Sequence, residues 1–404
     1  MSEAIEFGPL EWDPARRELQ LQFTLAEEIL FDLDLNVQFL AGDGQCRLSR
    51  HASEAGWNTS WLPRGTYRVV ARPEVNELPS GDYLLRFVFG SNIRGEAASH
   101  SVLEKAVHLA AAGDGGRGAI SQDFWQLESL DGIDLSALSW RKGPSDWFYQ
   151  HFDHAAEVVI DLMLARDDRL KGDILDVGCG DGVTDLGIFL RCNPNSLTGV
   201  DPFRGFERLP QIVSANQLPA SVLDHPGLRF EAHSANDLPY PDDHFDVVLS
   251  WGSLEHIAGG YHEALGEIRR VLRPGGLFFV HPGLYYSTLG NHLQEFFDDP
   301  FIHLKITPEE LRRKVLSSKP DYIDRAGYFA EPEESWRWYT ELNPITVPQI
   351  EKELRGLGFE PWRVALRTAD VVEYTEELQA FGMDQLAIAE MYASFVLKPD
   401  QSSG

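Results

Sequence analysis

Ile174-Leu175-Asp176-Val177-Gly178-Cys179-Gly180-Asp181-Gly182 reads as a short apolar strand that turns through three alternating glycines into a helix starting at Val183. Glycine serves where the backbone must take left-handed dihedrals or approach a ligand closely. Nineteen residues after Gly182 the next apolar run, Leu197–Val200, ends on Asp201, a carboxylate suited to a ribose diol. In an open α/β sheet this arrangement puts a nucleoside in the crevice beyond the strand ends. A dinucleotide fingerprint requires glycine or alanine three positions after the second glycine. Val183 stands there, and the spacing is GxGxG.

Outward from this stretch, helices and strands alternate. A helix over Val183–Arg191 and the strand Leu197–Val200 precede the strands Leu228–Ala232 and Phe245–Trp251, the helix Tyr261–Leu272 and the strand Leu277–Val280. Such alternation predicts a mostly parallel, doubly wound sheet covered on both faces. Upstream, Trp147, Phe148, Phe152, Ala155, Val158, Val159 and Leu162 recur at helical steps. Downstream, an insertion at 282–345 is rich in aromatics and histidines. A helix at Val347–Leu357, a strand at Phe359–Arg367, a helix at Glu373–Met391 and a strand at Ser394–Lys398 complete the domain, 145–400.

The first hundred residues read differently. Leu19, Leu21, Phe23 and Leu25 alternate with polar neighbours, as do Phe31, Leu33, Leu35, Val37 and Phe39. Tyr67–Ala71, Tyr83–Phe89 and Val102–Leu109 are further strand candidates between turn signals. Residues 1–112 are expected to form an all-β, immunoglobulin-like sandwich. The glycine run at 113–118 opens a linker expected over 113–144.

The order DVGCGDG, then Ala235-Asn236-Asp237-Leu238-Pro239, Phe245–Trp251 and Val271-Leu272-Arg273-Pro274-Gly275-Gly276 resembles the class I S-adenosylmethionine-dependent methyltransferases, in their small-molecule branch. The resemblance covers about Ile174 to Val280 and implies a Rossmann-like, seven-stranded methyltransferase sheet. It implies that Asp176, Gly178, Gly180 and Gly182 hold the methionine end of S-adenosyl-L-methionine, which leaves as S-adenosyl-L-homocysteine. It further implies that Asp201 binds the ribose and that Asp237, flanked by Asn236 and Leu238, accepts from the adenine amino group. Ser250 and Trp251 would face the sulfonium.

Methyl transfer is an in-line displacement in which alignment and exclusion of water matter most, and a hydroxyl acceptor also needs a base. His256, His281 and His292 are the candidates, with a hydrogen-bonded structural histidine as the competing use of each. A divalent ion held by these histidines with Asp298 and Asp299 is another reading, though no tight ligand spacing supports it. Tyr285 and Tyr286 are substrate-binding candidates. With Phe296, Phe297, Tyr328, Trp336, Trp338 and Tyr339 they form either an aromatic lid or the insertion's own core.

Within Asp32–Ala111, the order Val37-Gln38-Phe39, Gly42-Asp43-Gly44, Leu62–Tyr67 and Leu78–Tyr83 loosely resembles the O-antigen-binding domain of polysaccharide-exporting ABC transporters. Trp57 and Trp61, expected in a loop, would then stack on sugar rings. A packing or dimerisation module is the competing use of this domain.

A formal net charge of −28 over 404 residues disfavours phosphate backbones and anionic membranes as non-specific partners. The three cysteines, Cys46, Cys179 and Cys192, have no zinc-cage or disulfide spacing. Residues 1–6 lack a basic region and an apolar run, and no stretch approaches a membrane span. A cytoplasmic location is expected, with peripheral contact to membrane-bound glycan machinery under a glycan reading. Three functions are carried forward: an O-methyltransferase for a sugar hydroxyl of a bacterial surface polysaccharide or its precursor, a methyltransferase for a small secondary metabolite, and a catalytically inactive glycan-binding scaffold.

Overall fold

The computed structural model describes residues 5–52, 59–72, 78–92, 101–109, 124–133, 135, 146–216, 218, 220–320 and 331–399. The chain divides into two compact units, 1–150 with 210–222, and 151–209 with 223–404.

The first unit is antiparallel throughout its strands: β1 (Ile5–Asp13), β2 (Glu18–Ala41), β3 (Cys46–His51), β4 (Thr59–Ala71), β5 (Gly81–Asn92), β6 (Ser101–Leu109) and β7 (Trp125–Ser129). The long β2 organises it. Its first part pairs with β1 and β4, and its later part with β3 and β5. The period-two pattern decides which side chains go inside. Leu19, Leu21, Phe23 and Leu25 are buried, as are Leu35, Val37 and Phe39. Phe23 stacks on Tyr67 at 5.4 Å and meets Phe89 edge-on at 5.1 Å.

Two expectations are corrected here. β7 lies inside the stretch expected as linker, pairing Trp125 with Ala71 and Leu127 with Val69. Trp125 and Leu127 alternate with Gln126 and Glu128, a half-buried strand signature overshadowed by the glycine run upstream. Trp61 belongs to β4, opposite Phe31, and not to a loop. Trp57, Tyr328 and the glycine run at 113–118 lie outside the described residues.

The second unit holds a seven-stranded sheet in the order β10-β9-β8-β11-β12-β14-β13. These strands are β8 (Asp173–Val177), β9 (Ser196–Val200), β10 (Leu228–Glu231), β11 (Phe245–Trp251), β12 (Leu272–His281), β13 (Phe359–Thr368) and β14 (Ile388–Leu397). The first five pair in parallel, and β14 runs antiparallel between β12 and β13. Ile174, Leu175, Val177, Val247, Val248 and Leu277–Val280 are fully buried, as strands covered on both faces require.

Along the chain run α1 (Val183–Cys192), α2 (Leu209–Ala215), α3 (His262–Val271), α4 (Ile302–Lys305), α5 (Pro308–Ser317), α6 (Pro332–Thr340), α7 (Val347–Gly356) and α8 (Met383–Leu386). α3 and α7 bury Leu265, Ile268, Ile350 and Leu354 in one core with the sheet. The helical stretch expected upstream is wound as two π-helical segments, Tyr149–Ala155 and Val158–Met163. It is pinned by a buried ion pair, Arg191 to Asp153 at 2.6 Å.

The helix expected over Glu373–Met391 is absent from the described residues. A 3₁₀ turn at Glu376–Leu378 and the single turn α8 replace it, and β14 begins at Ile388. The hydrogen bonds offered by β12 and β13 on either side of β14 outweigh the local helical pattern. Among the described residues, no helix is long and apolar enough to cross a membrane.

Candidate active site

Three positive φ values make the glycine loop: +83° at Gly178, +56° at Gly180 and +75° at Gly182. The Gly178 and Cys179 amides both donate to the Val200 carbonyl, at 2.8 and 3.1 Å, which draws the loop over the end of β9. A Cβ on Gly182 would lie 2.6 Å from the Phe230 ring, whereas one on Gly180 would meet nothing within 4 Å. The loop is therefore packed at both ends and open in the middle. Asp201 fastens that open middle, its Oδ2 accepting from the Gly180 amide at 3.2 Å and its Oδ1 from the Phe203 amide at 2.7 Å.

Behind the loop sits an acidic cluster. Asp176, 6% exposed, and Asp185, fully buried on α1, are neighbours. Burial, together with the charge of Asp201, pushes the Asp176 carboxyl up to about 7. Burial and the charge of Asp176 push Asp185 well above the carboxylate range. Two carboxyls so placed hold one proton between them more readily than two charges. Burial and the surrounding carboxylates likewise keep the Cys179 thiol protonated. Oδ1 of Asp176 has no hydrogen-bond partner. An orphan acceptor, an open glycine and a ring of carboxylates fit a ligand that brings its own positive charge.

The segment after β10 places Asn236 at intermediate burial, Asp237 exposed, and Leu238 buried with its amide donating to Glu267 at 2.9 Å. At the end of β11, Ser250 is 1% exposed and its hydroxyl lacks a partner. Trp251 lies parallel to the His281 imidazole, ring centroids 4.9 Å apart and planes 15° from parallel. His281 Nε2 is 3.7 Å from Glu390 on β14, and Glu390 also accepts from Arg367 at 2.8 Å. The neighbouring His281 ring and the Arg367 guanidinium pull the Glu390 carboxyl down to about 2.

The three candidate histidines separate into two groups. His281 belongs with Trp251 and Glu390. His256 and His292 come together with rings perpendicular and centroids 4.7 Å apart. Glu255 is buried beside them. Asn343 fixes the turn that carries Glu255 and His256, donating from Nδ2 to Leu254 and Ile257 and from its amide to the Glu255 carbonyl. Asp299 is committed elsewhere, to Lys305 at 2.9 Å and the Phe301 amide, so it does not join the histidines as the alternative metal reading would require.

Tyr285 bonds through its hydroxyl to that of Tyr339 at 2.9 Å, and Tyr286 lies 5.7 Å from Phe381. Phe296, Phe297, Trp336 and Tyr339 pack around Leu293, Leu311 and Val315, a small core within the insertion. Sequence reasoning missed Glu255, Asp185 and Glu390. Glu255 was visible beside His256, but Glu390 was hidden by the helix expected around it.

Residues 175–280 match the family model described as "Methyltransferase domain". The chain carries a class I methyltransferase domain. The cofactor of that domain is S-adenosyl-L-methionine, and the acidic loop site described above fits it. Curated relatives include the EEF1A lysine methyltransferase 4 of Mus musculus, 29% identical over 38% of this chain and 58% of its own length. The 27-O-demethylrifamycin SV methyltransferase of Amycolatopsis mediterranei is 36% identical over 28% of this chain and 38% of its own. The ubiquinone biosynthesis O-methyltransferase of Roseobacter denitrificans is 28% identical over 48% and 78%. The chain spans 58% of the first of these relatives and 38% of the second, less than two thirds of each.

Proposed function

We propose that the chain is an O-methyltransferase whose acceptor hydroxyl loses its proton to His281. One observation carries this reading: His281 is stacked on Trp251 where β11 and β12 end, with the Glu390 carboxylate 3.7 Å from Nε2. S-adenosyl-L-methionine supplies an electrophilic methyl group to the acceptor oxygen. His281 takes the hydroxyl proton as general base, Glu390 offsets the imidazolium charge that results, and Trp251 fixes the ring plane. The carboxylates around the glycine loop favour a cationic cofactor over its neutral product.

For the acceptor we infer a sugar hydroxyl of a bacterial surface polysaccharide or its precursor. What supports this is the resemblance of the segment Asp32–Ala111 to a glycan-recognising sandwich, together with the antiparallel strands of that unit. The immunoglobulin-like closure of the unit, an aromatic lid at 282–345, sugar stacking by Trp57 and Trp61, and a cytoplasmic location belong to the same proposal. A small secondary metabolite is the second reading, favoured by the rifamycin in the name of the Amycolatopsis relative.

The test is transfer of a labelled methyl group to surface glycan fractions and to small phenols, with the product located by mass spectrometry. A methyl ether on a sugar supports the first acceptor, and one on a phenol supports the second. A methyl group on nitrogen alone contradicts both. His281→Ala is expected to lower kcat by about 10²–10⁴ and leave cofactor affinity unchanged.

A further inference from the structure

Glu255, His256 and His292 converge although they come from two separate segments. Glu255 and His256 sit in a 3₁₀ turn just after β11, and His292 lies in the insertion beyond β12. One ligand atom from each lies within 4.8 Å of the other two.

The Glu255 carboxylate is the telling member. Glu255 is 3% exposed, its Oε2 is buried with no hydrogen-bond partner, and its Oε1 stands 4.0 Å from His256 Nε2. A buried carboxylate oxygen left without a hydrogen bond is unfavourable, and a bound cation would satisfy it. The chain makes room for this carboxylate, since a Cβ on Gly283 would lie 2.6 Å from Oε1. His292 is held at φ +51°, a backbone state that non-glycine residues seldom adopt.

We propose that Glu255, His256 and His292 bind one divalent transition-metal ion. Two imidazoles and one carboxylate form a donor set with an open position for water or substrate oxygen. Imidazole nitrogen selects zinc, cobalt or nickel over magnesium. Bonds of about 2.1 Å separate tetrahedral ligand atoms by about 3.4 Å, so binding requires the present cluster to contract by little more than 1 Å at its widest. Glu255 faces Gly283, two residues beyond His281, so the ion borders the strand end that carries the proposed base. There it would polarise the acceptor hydroxyl. That role rests on the O-methyltransferase reading, whereas the binding itself does not.

The test uses the untagged full chain, stripped with a chelator and titrated with Co²⁺ alone, in the absence of cofactor and acceptor. Visible d–d absorption reports the coordination, and cobalt retained after gel filtration gives the stoichiometry. One equivalent is expected, with affinity falling at least about tenfold (about 1.4 kcal/mol) in Glu255→Gln, His256→Asn and His292→Asn. Asparagine is chosen at 292 because it tolerates the left-handed backbone. His108→Ala, an exposed histidine of the first unit, is expected to change nothing. No binding by the folded protein, or affinity unchanged in His292→Asn, overturns the proposal. Binding of S-adenosyl-L-homocysteine by the same stripped samples reports separately on the cofactor site.

Discussion

Gly178 and Ser253 stand so close that a Cβ added to the glycine would lie 2.2 Å from the serine hydroxyl oxygen. That hydroxyl is 3.0 Å from both the Gly178 and the Trp251 carbonyls, so one small side chain ties the glycine loop to the end of β11. Gly178→Ala is therefore expected to cost about 1–3 kcal/mol in stability from overpacking, beyond the positive-φ penalty. Gly180→Ala meets nothing and incurs only the φ penalty of about 1 kcal/mol, but its methyl group enters space assigned to the cofactor. Denaturant melts and cofactor titrations should split the two variants. Gly178→Ala loses mainly stability; Gly180→Ala loses mainly affinity.

Asp176 gives a pH signature. Its carboxyl rises from 3.8 to about 7 on folding, so the fold favours the protonated form. That contribution is complete below about pH 4 and is lost as pH rises through 7. Asp176→Asn keeps the shape and removes the charge. Its melting temperature should exceed that of the parent at about pH 8, with the gap closing towards pH 4. An equal gap at both ends would contradict the buried pair.

Glu390 has the opposite sign. Its pKa falls from 4.5 to about 2 beside His281 and Arg367, so its stabilising contribution is present above 4.5 and disappears as pH drops towards 2. Glu390→Gln should melt lower than the parent at about pH 7 and together with it near pH 2. A variant as stable as the parent at neutral pH would remove the ion pair from the account.

The buried pair Asp153–Arg191 should dominate the stability of the π-helical segment. Arg191 donates to Asp153 at 2.6 Å and to the Phe152 and Gly187 carbonyls at 2.9 and 3.0 Å. Asp153→Ala leaves the guanidinium buried without its carboxylate and is expected to cost about 3–5 kcal/mol in urea unfolding.

Much of the second unit could be read from the chain because its signals are local. Strand β11 falls on Phe245–Trp251 as expected, and α1 runs one residue past the expected Arg191. The glycines that turn the loop are adjacent in sequence, so their spacing carries its geometry. What stayed hidden depends on partners far along the chain. β14 is a strand because β12 and β13 flank it, a fact absent from the segment Glu373–Met391 itself. Glu390 reaches His281 only through that pairing, and His292 reaches His256 only through the fold of the insertion. Asp185 was overlooked because an acidic residue in the first turn of a helix is ordinary on an exposed surface. Its burial against Asp176 appears only in three dimensions.

The loop from Gly178 to Gly182, fastened by Asp201, is expected to hold an adenosyl ligand. Isothermal titration of the full chain with S-adenosyl-L-homocysteine measures this directly, alongside Asp201→Ala, which removes the acceptor of the Gly180 amide. One saturable site is predicted, weakened about tenfold or more (about 1.4 kcal/mol) in the variant. No heat from folded protein, or the same affinity in Asp201→Ala, would contradict it.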